Sequence, residues 1–130
     1  MRAAFEESMS YSQDRMVFGR PVASYPLSLA KLARMGALIT ACKAFTAHVA
    51  SLMDQGLGQM EASLVKLFSC RAAEWVTRES VQMHGGMGYA EEVAVSRYFA
   101  DARVLSIFEG AEETFAIRVV GKSLVDQARN

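Results

Sequence analysis

Residues 27–53 read LSLAKLARMGALITACKAFTAHVASLM, and residues 61–84 read EASLVKLFSCRAAEWVTRESVQMH. The first stretch keeps helical spacing while staying apolar nearly all round. Leu27, Ala30, Ala37, Ala41, Phe45, Val49 and Leu52 mark one side; Leu29, Leu32, Gly36, Ile39 and Cys42 mark others. Lys31, Arg34, Lys43 and Asp54 leave only a thin polar edge, so this helix is expected to be covered by neighbours on several sides. At ~1.5 Å per residue it is ~40 Å long. The second stretch gathers Val65, Phe68, Ala72, Trp75, Val76 and Met83 on one face. The segment between them, Asp54-Gln55-Gly56-Leu57-Gly58, is short, which makes the two long helices antiparallel neighbours.

Outward from this pair, the same periodicity continues. Residues 2–16 mix alanine, glutamate and aromatics at helical spacing with no capping residue ahead of them. That reads as the middle of a helix and leads us to expect a piece of a longer protein. Phe18-Gly19-Arg20-Pro21 breaks this helix, since Gly19 permits a turn and Pro21 forbids helix continuation. Ser24 is expected to cap the next helix, with Pro26 in its first turn. Downstream, Gly85-Gly86 ends the second long helix. A shorter helix is expected from Ala90 to about Ala102, with Glu91 and Glu92 at its positive end. A last one is expected from Ala111 to about Ala128. No stretch reads as a strand. The fold class is all-α: one domain over residues 1–130, an up-and-down four-helix bundle with a short extra helix.

Composition narrows the function. Apolar residues make up 52% of the 130, enough for a packed core. The 14 basic and 14 acidic residues cancel, which gives no support to a basic nucleic-acid face. No unbroken run of ~18 apolar residues occurs, so no membrane span is expected. The start, MRAAFEESMS, lacks the pattern of a signal peptide, and the cytoplasm is the expected compartment. There Cys42 and Cys70 are expected as reduced core thiols.

The chemistry concentrates in residues 82–113, QMHGGMGYAEEVAVSRYFADARVLSIFEGAEE. Glu109 follows apolar Ile107-Phe108 and precedes Gly110. A carboxylate in dry surroundings has its charged form disfavoured and becomes a usable base near neutral pH. It equally well serves the macrodipole of the helix that follows. Gly85-Gly86-Met87-Gly88 offers bare backbone to a phosphate or ribose, or is simply a helix stop and turn. It is no dinucleotide fingerprint, because no strand precedes it and Glu91 stands where that pattern has glycine. His48 is expected to be a hydrogen-bonded core residue, and His84 lies at a helix C-terminus, where a cation is favoured. Neither has a partner at zinc-ligand spacing.

Taken together, Arg15-Met16-Val17-Phe18-Gly19-Arg20-Pro21, Gln82-Met83-His84-Gly85-Gly86-Met87-Gly88-Tyr89, Arg97, Asp101-Ala102-Arg103 and Phe108-Glu109-Gly110 resemble the C-terminal helical domain of acyl-CoA dehydrogenases. The likeness spans residues 3–127. It implies the third domain of a longer flavoenzyme, after an N-terminal helical domain and a middle β-domain. It implies FAD as cofactor, an acyl-CoA substrate, electron-transfer flavoprotein as acceptor, and a homo-oligomer, dimer or tetramer. By the resemblance Glu109 is the base that takes the α-proton while the β-hydrogen leaves as hydride to the flavin. Phe108 and Gly110 flank the thioester. Arg15 and Phe18 contact the FAD of a neighbouring subunit, Gln82, Gly85 and Gly86 hold the adenosine side of that FAD, and Glu113 lies near the flavin. The chain departs from the family at Ala111, where a threonine bonding FAD is common, and at Phe108, Pro26 and Ala100, where tyrosine, glutamine and arginine are common. Two other readings remain: an oligomerisation bundle with no activity of its own, and a related flavin monooxygenase, which does not need a base at Glu109.

Overall fold

The computed structural model describes residues 1–129. Helices α1 (Arg2–Asp14), α2 (Pro26–Met53) and α3 (Gln59–His84) form the body of the bundle. After α3 come a single turn, α4 (Gly86–Tyr89), and the shorter helix α5 (Ala94–Val104). A last rod closes the bundle. It runs through α6 (Glu112–Thr114), a π-helical segment Phe115–Gly121 and α7 (Lys122–Gln127), with helical backbone angles at each junction.

The centre is α3, which contacts α1, α2, α5 and the π segment. Its sequence explains this. Small residues Ala72, Ala73, Thr77 and Ser80 are buried beside Val76 and Met83, so neighbouring backbones come close on more than one side. Ala4 of α1, Leu32 and Met35 of α2, and Val76 and Met83 of α3 form the core cluster, with Phe5, Trp75 and Tyr98 packed at its edge. Met35 and Val76 are wholly buried; each such side chain contributes about 1.5–3 kcal/mol relative to exposure. Between α1 and α3 the seam is polar. Ser8 donates to Ser80 Oγ at 2.8 Å, and Ser80 donates to the Ala4 carbonyl at 3.0 Å. Both hydroxyls are buried and satisfied, so the close approach costs no orphaned polar group.

Several expectations change here. Residues 16–21 form a small hairpin, with β1 (Met16–Val17) antiparallel to β2 (Arg20–Pro21) and Val17 opposite Arg20. Ser24 does not cap α2: its hydroxyl donates to the Pro21 carbonyl at 2.7 Å inside a 3₁₀ turn, and Tyr25 occupies the cap position. Of α2, only Leu32, Met35, Cys42 and Val49 are buried. That is one narrow seam, not cover on several sides, and His48, one residue off it, is exposed. By length and composition alone α2 meets the measure of a bilayer-crossing helix, a measure that core helices of bundles also meet. In the bundle it lies along α1 and α3, and its Lys31 pairs with Glu79 of α3 at 2.7 Å. Finally, α5 begins at Ala94, not Ala90. Glu91 and Glu92 sit in the preceding turn, where Arg97 donates to the Glu91 carbonyl at 2.7 Å. Both cysteines are free and buried, as expected.

Candidate functional site

Two clusters of candidate residues form, one beyond each half of α3. The first lies at its C-terminal end. Arg15 terminates α1. Its N–H donates to the Tyr11 carbonyl and its own carbonyl accepts from Val22 N–H, both at 2.8 Å, so its backbone is fixed from two sides. The hairpin beyond it turns through Phe18 (φ +48°) and Gly19 (φ +79°). Positive φ at both central residues is the two-residue turn whose twist matches paired strands. Glycine adopts it freely; phenylalanine does not. Phe18 is nevertheless there, 95% exposed at the tip. Tyr25 anchors the hairpin from below, donating to the Val17 carbonyl at 2.6 Å while the Arg20 guanidinium lies over its ring at 4.0 Å.

Against this hairpin stands the end of α3. His84 is buried, its Nδ1 paired with the Ser80 carbonyl at 2.8 Å and its ring stacked on Tyr11 at 4.3 Å. It is therefore a packed ring that closes the α1–α3 seam from the last turn of α3. Gly85 then turns the chain at φ +58°. Arg15, Val17, Gln82, Gly85, Gly86 and Met87 line a cleft of about 560 Å³. The three glycines here serve different ends. A Cβ on Gly88 would lie 2.4 Å from the Val81 carbonyl oxygen, so Gly88 is needed for internal packing. Gly85 is needed for its backbone angle. Gly86 has neither constraint: a Cβ there meets nothing within 4 Å among the described residues. Its backbone therefore lies open on the cleft side.

The second cluster is the loop from α5 to α6. Ser106 carbonyl accepts from Glu112 N–H at 3.1 Å and closes the loop at its base. Helix α3 then clamps it through residues spaced four apart. Lys66 Nζ donates to the Phe108 carbonyl at 2.6 Å, Cys70 Sγ donates to the Leu105 carbonyl at 3.2 Å, and Glu74 accepts from Ser106 Oγ at 2.9 Å and from Arg103 at 2.7 Å. Arg71 forms an ion pair with buried Glu112. Burial would raise the Glu74 carboxyl, but hydrogen bonds from Arg103 and Ser106, with the charges of Arg103 and Arg71, outweigh it and hold the group below its ordinary value. Burial pushes the Cys70 thiol up, with the Lys66 ammonium opposing.

Glu109 stands at the apex of this loop in the left-handed region, φ +59°. Gly110 follows at φ +100°, and a Cβ on it would lie 2.7 Å from the Phe115 ring. Within this chain Glu109 is exposed, as are Ile107 and Phe108, so the apolar run does not bury the carboxylate as the sequence led us to expect. The run lies on a loop, where neighbours in sequence project outward together. Glu113, in the first turn of the next helix, faces a smaller cleft with Leu67, Arg71 and Ala116.

Arg15, Gln82, Gly85 and Gly86 are thus brought together, with Phe18 at the tip of the adjoining hairpin. Glu109, Phe108 and Gly110 form a separate group. Sixteen residues of α3 separate Lys66 from Gln82, which at ~1.5 Å per residue is roughly 24 Å. The α3 clamp (Lys66, Cys70, Arg71, Glu74) was not singled out from sequence. Its signal was there in part, as polar side chains recurring every four residues on a helix otherwise read by its apolar face.

The family model for the acyl-CoA dehydrogenase C-terminal domain matches residues 1–125. The (2S)-methylsuccinyl-CoA dehydrogenase of Cereibacter sphaeroides is 38% identical over 124 residues, covering 95% of this chain and 22% of that protein. An acyl-CoA dehydrogenase of Bacillus subtilis is 38% identical over 112 residues, 85% of this chain and 30% of its own. The solved structure of butyryl-CoA dehydrogenase from Megasphaera elsdenii matches with a TM-score of 0.91 at 33% identity, over 95% of this chain and 32% of that one. The chain thus spans between about a fifth and a third of the length of the proteins it matches.

Proposed function

The chain belongs to the acyl-CoA dehydrogenase family, and from that premise we propose that it is the C-terminal part of an FAD-dependent enzyme. That enzyme removes hydrogen from the α and β carbons of an acyl-CoA thioester. The observation that carries this reading is the presentation of Glu109. A carboxylate stands outward at the apex of a loop that α3 grips by side-chain bonds, with exposed apolar Ile107 and Phe108 beside it. Docking of a substrate-bearing partner surface against that apolar rim would expel water and give the carboxylate the dry setting a carbon base needs. Glu109 then accepts the α-proton, while Gly110 beside it leaves its side-chain space to the Phe115 ring, which packs there and shapes the loop that presents the base.

The cleft at the other end fits one end of FAD. Gln82 offers an amide, Arg15 a cation on an anchored backbone suited to a pyrophosphate, and Gly85-Gly86 a bare backbone with open space above it. When bound, FAD supplies the hydride acceptor. Arg15, Gln82, Gly85 and Gly86 bind and orient it. Phe18, on its strained turn, reaches outward toward it, and Glu113 lies on the flavin side. Because the two clusters lie roughly 24 Å apart along α3, they fit the cofactors of two subunits better than one. Electron-transfer flavoprotein as acceptor follows from the family resemblance alone.

The test is anaerobic bleaching of flavin by acyl-CoA. This chain alone should not bleach added FAD. The longer enzyme carrying it should, and Glu109→Gln should abolish bleaching with FAD still bound. Bleaching that survives Glu109→Gln would place the base elsewhere.

A second reading, self-association, has its own support. Leu27, Leu29, Met53 and Phe68 are exposed, and Ala41, Phe45, Leu64 and Phe68 line an apolar groove of about 420 Å³ between α2 and α3. Surfaces of this kind mark contacts between proteins. A sedimentation profile that stays monomeric up to high concentration would count against it.

A further inference from the structure

We propose that Lys66 is a positioning residue for Glu109. The inference rests on Glu109 being the base and goes beyond it, to how the loop holds that side chain on target. Lys66 donates to the carbonyl of Phe108 at 2.6 Å. That carbonyl belongs to the peptide joining Phe108 to Glu109, so the bond fixes the plane from which the Glu109 side chain departs. The same ammonium lies 5.7 Å from the Phe108 ring centroid and 5.3 Å from that of Phe115. Phe115 in turn packs on Gly110, at the distance where a Cβ would collide. One cation therefore touches the residue before Glu109 and the ring that presses on the residue after it.

The arrangement has work to do, because Glu109 is held at φ +59°, where a side-chain-bearing residue does not rest without support from its surroundings. The other clamp bonds act further off. Cys70 reaches Leu105, Glu74 reaches Ser106, and Arg71 reaches Glu112. Among the described hydrogen bonds to this loop, only that from Lys66 lands on a peptide adjoining Glu109. Lys66 itself need not touch substrate; it acts through the Phe108 carbonyl.

Three variants of the longer enzyme test this, with rates normalised to bound flavin. Lys66→Met keeps the length of the side chain and removes donor and charge. It should lower kcat for flavin bleaching roughly 10- to 100-fold, the scale set by misplacing a reacting group by about an ångström, with little change in KM. Lys66→Arg, which can donate to the same carbonyl, should restore most of kcat. Lys66→Gln, a donor without charge, should fall between. A purely structural role would lower melting temperature and the yield of flavin-loaded enzyme, yet leave kcat per flavin intact in all three; that result overturns the proposal. Should Lys66→Met fail to fold, equal kcat in Lys66→Gln and Lys66→Arg at the level of the parent overturns it as well. The two ideas fail separately. Turnover that survives Glu109→Gln removes the base reading, whereas loss of turnover in Glu109→Gln with none in the Lys66 series removes only this one. In the 130-residue chain, NMR backbone couplings at Glu109 provide a readout free of activity: Lys66→Met should move φ out of the left-handed region, and an unchanged coupling counts against the proposal.

Discussion

The C-terminal end of α3 and its stretch from Lys66 to Glu74 hold the loops beside them by different means. At Gly85 the geometry is written in the backbone: a left-handed glycine, a tight turn, and a hairpin closed by two residues at positive φ. Few side chains are needed, and the cleft stays open. At Glu109 the geometry is imposed by side chains from another helix, through Lys66, Cys70, Arg71 and Glu74. The first end should be sensitive to added carbon. The second should be sensitive to charge. On the function proposed above, a cofactor cradle needs bare surface and a base needs aim, and the two devices suit those needs.

The largest effect that bears on this contrast is a crossed loss of function in the longer enzyme. Glu109→Gln should reduce turnover by roughly 10²–10⁴-fold with FAD content unchanged. Gly86→Val should do the reverse, weakening FAD binding while each bound flavin still bleaches. Flavin titration alongside stopped-flow bleaching checks both, and a Gly86→Val enzyme with normal FAD affinity would dissolve the contrast. Next comes stability. Gly88→Ala should cost about 1–3 kcal/mol by forcing a methyl group against Val81. Gly86→Ala should leave the melting temperature nearly unchanged, since its methyl meets only open space among the described residues.

Acid should then loosen the clamped end. Glu74 is held below its ordinary value of 4.5 in the fold. Its contribution is complete above pH ~4.5 and is lost as pH falls through the folded value. Amide exchange in residues 103–112 should therefore quicken as the pH is taken below ~4.5, and Glu74→Gln should remove that acid dependence. The smallest expected effect is a gain. Phe18→Gly should relieve the left-handed strain at the hairpin tip and stabilise the chain by about 1 kcal/mol, while weakening FAD binding. Calorimetry that finds no gain would mean the turn is not strained.

How much of this was legible in the sequence depended on length and on locality. The long helices α2 and α3 were readable because more than six turns of periodicity outvote any single residue. The hairpin was not, because strands of two residues have no period, and Gly19 and Pro21 read equally well as breakers. Glu91-Glu92 looked like the acidic start of α5, but Arg97 folds back onto the Glu91 carbonyl and keeps that turn outside the helix. His48 and the cover of α2 were misread for one reason. Apolar composition says a face can be buried, not that this chain buries it, and the buried line of α2 runs through Leu32, Met35, Cys42 and Val49. Glu109 was singled out by its neighbours Phe108 and Gly110. Lys66, on which its geometry depends, lies 43 positions earlier and carries no local mark.

The π-helical stretch Phe115–Gly121 carries a consequence for how this terminus tolerates length change. A wide turn of this kind stores one surplus residue in a rod that would otherwise be regular. Gly121 makes that possible: a methyl there would press to 2.8 Å from the Ala116 oxygen. Deleting a single amino acid between 116 and 120 should therefore let the rod tighten into ordinary winding with everything beyond it still in phase. The same deletion within α3 would swing every later side chain by about 100° and scramble the bundle.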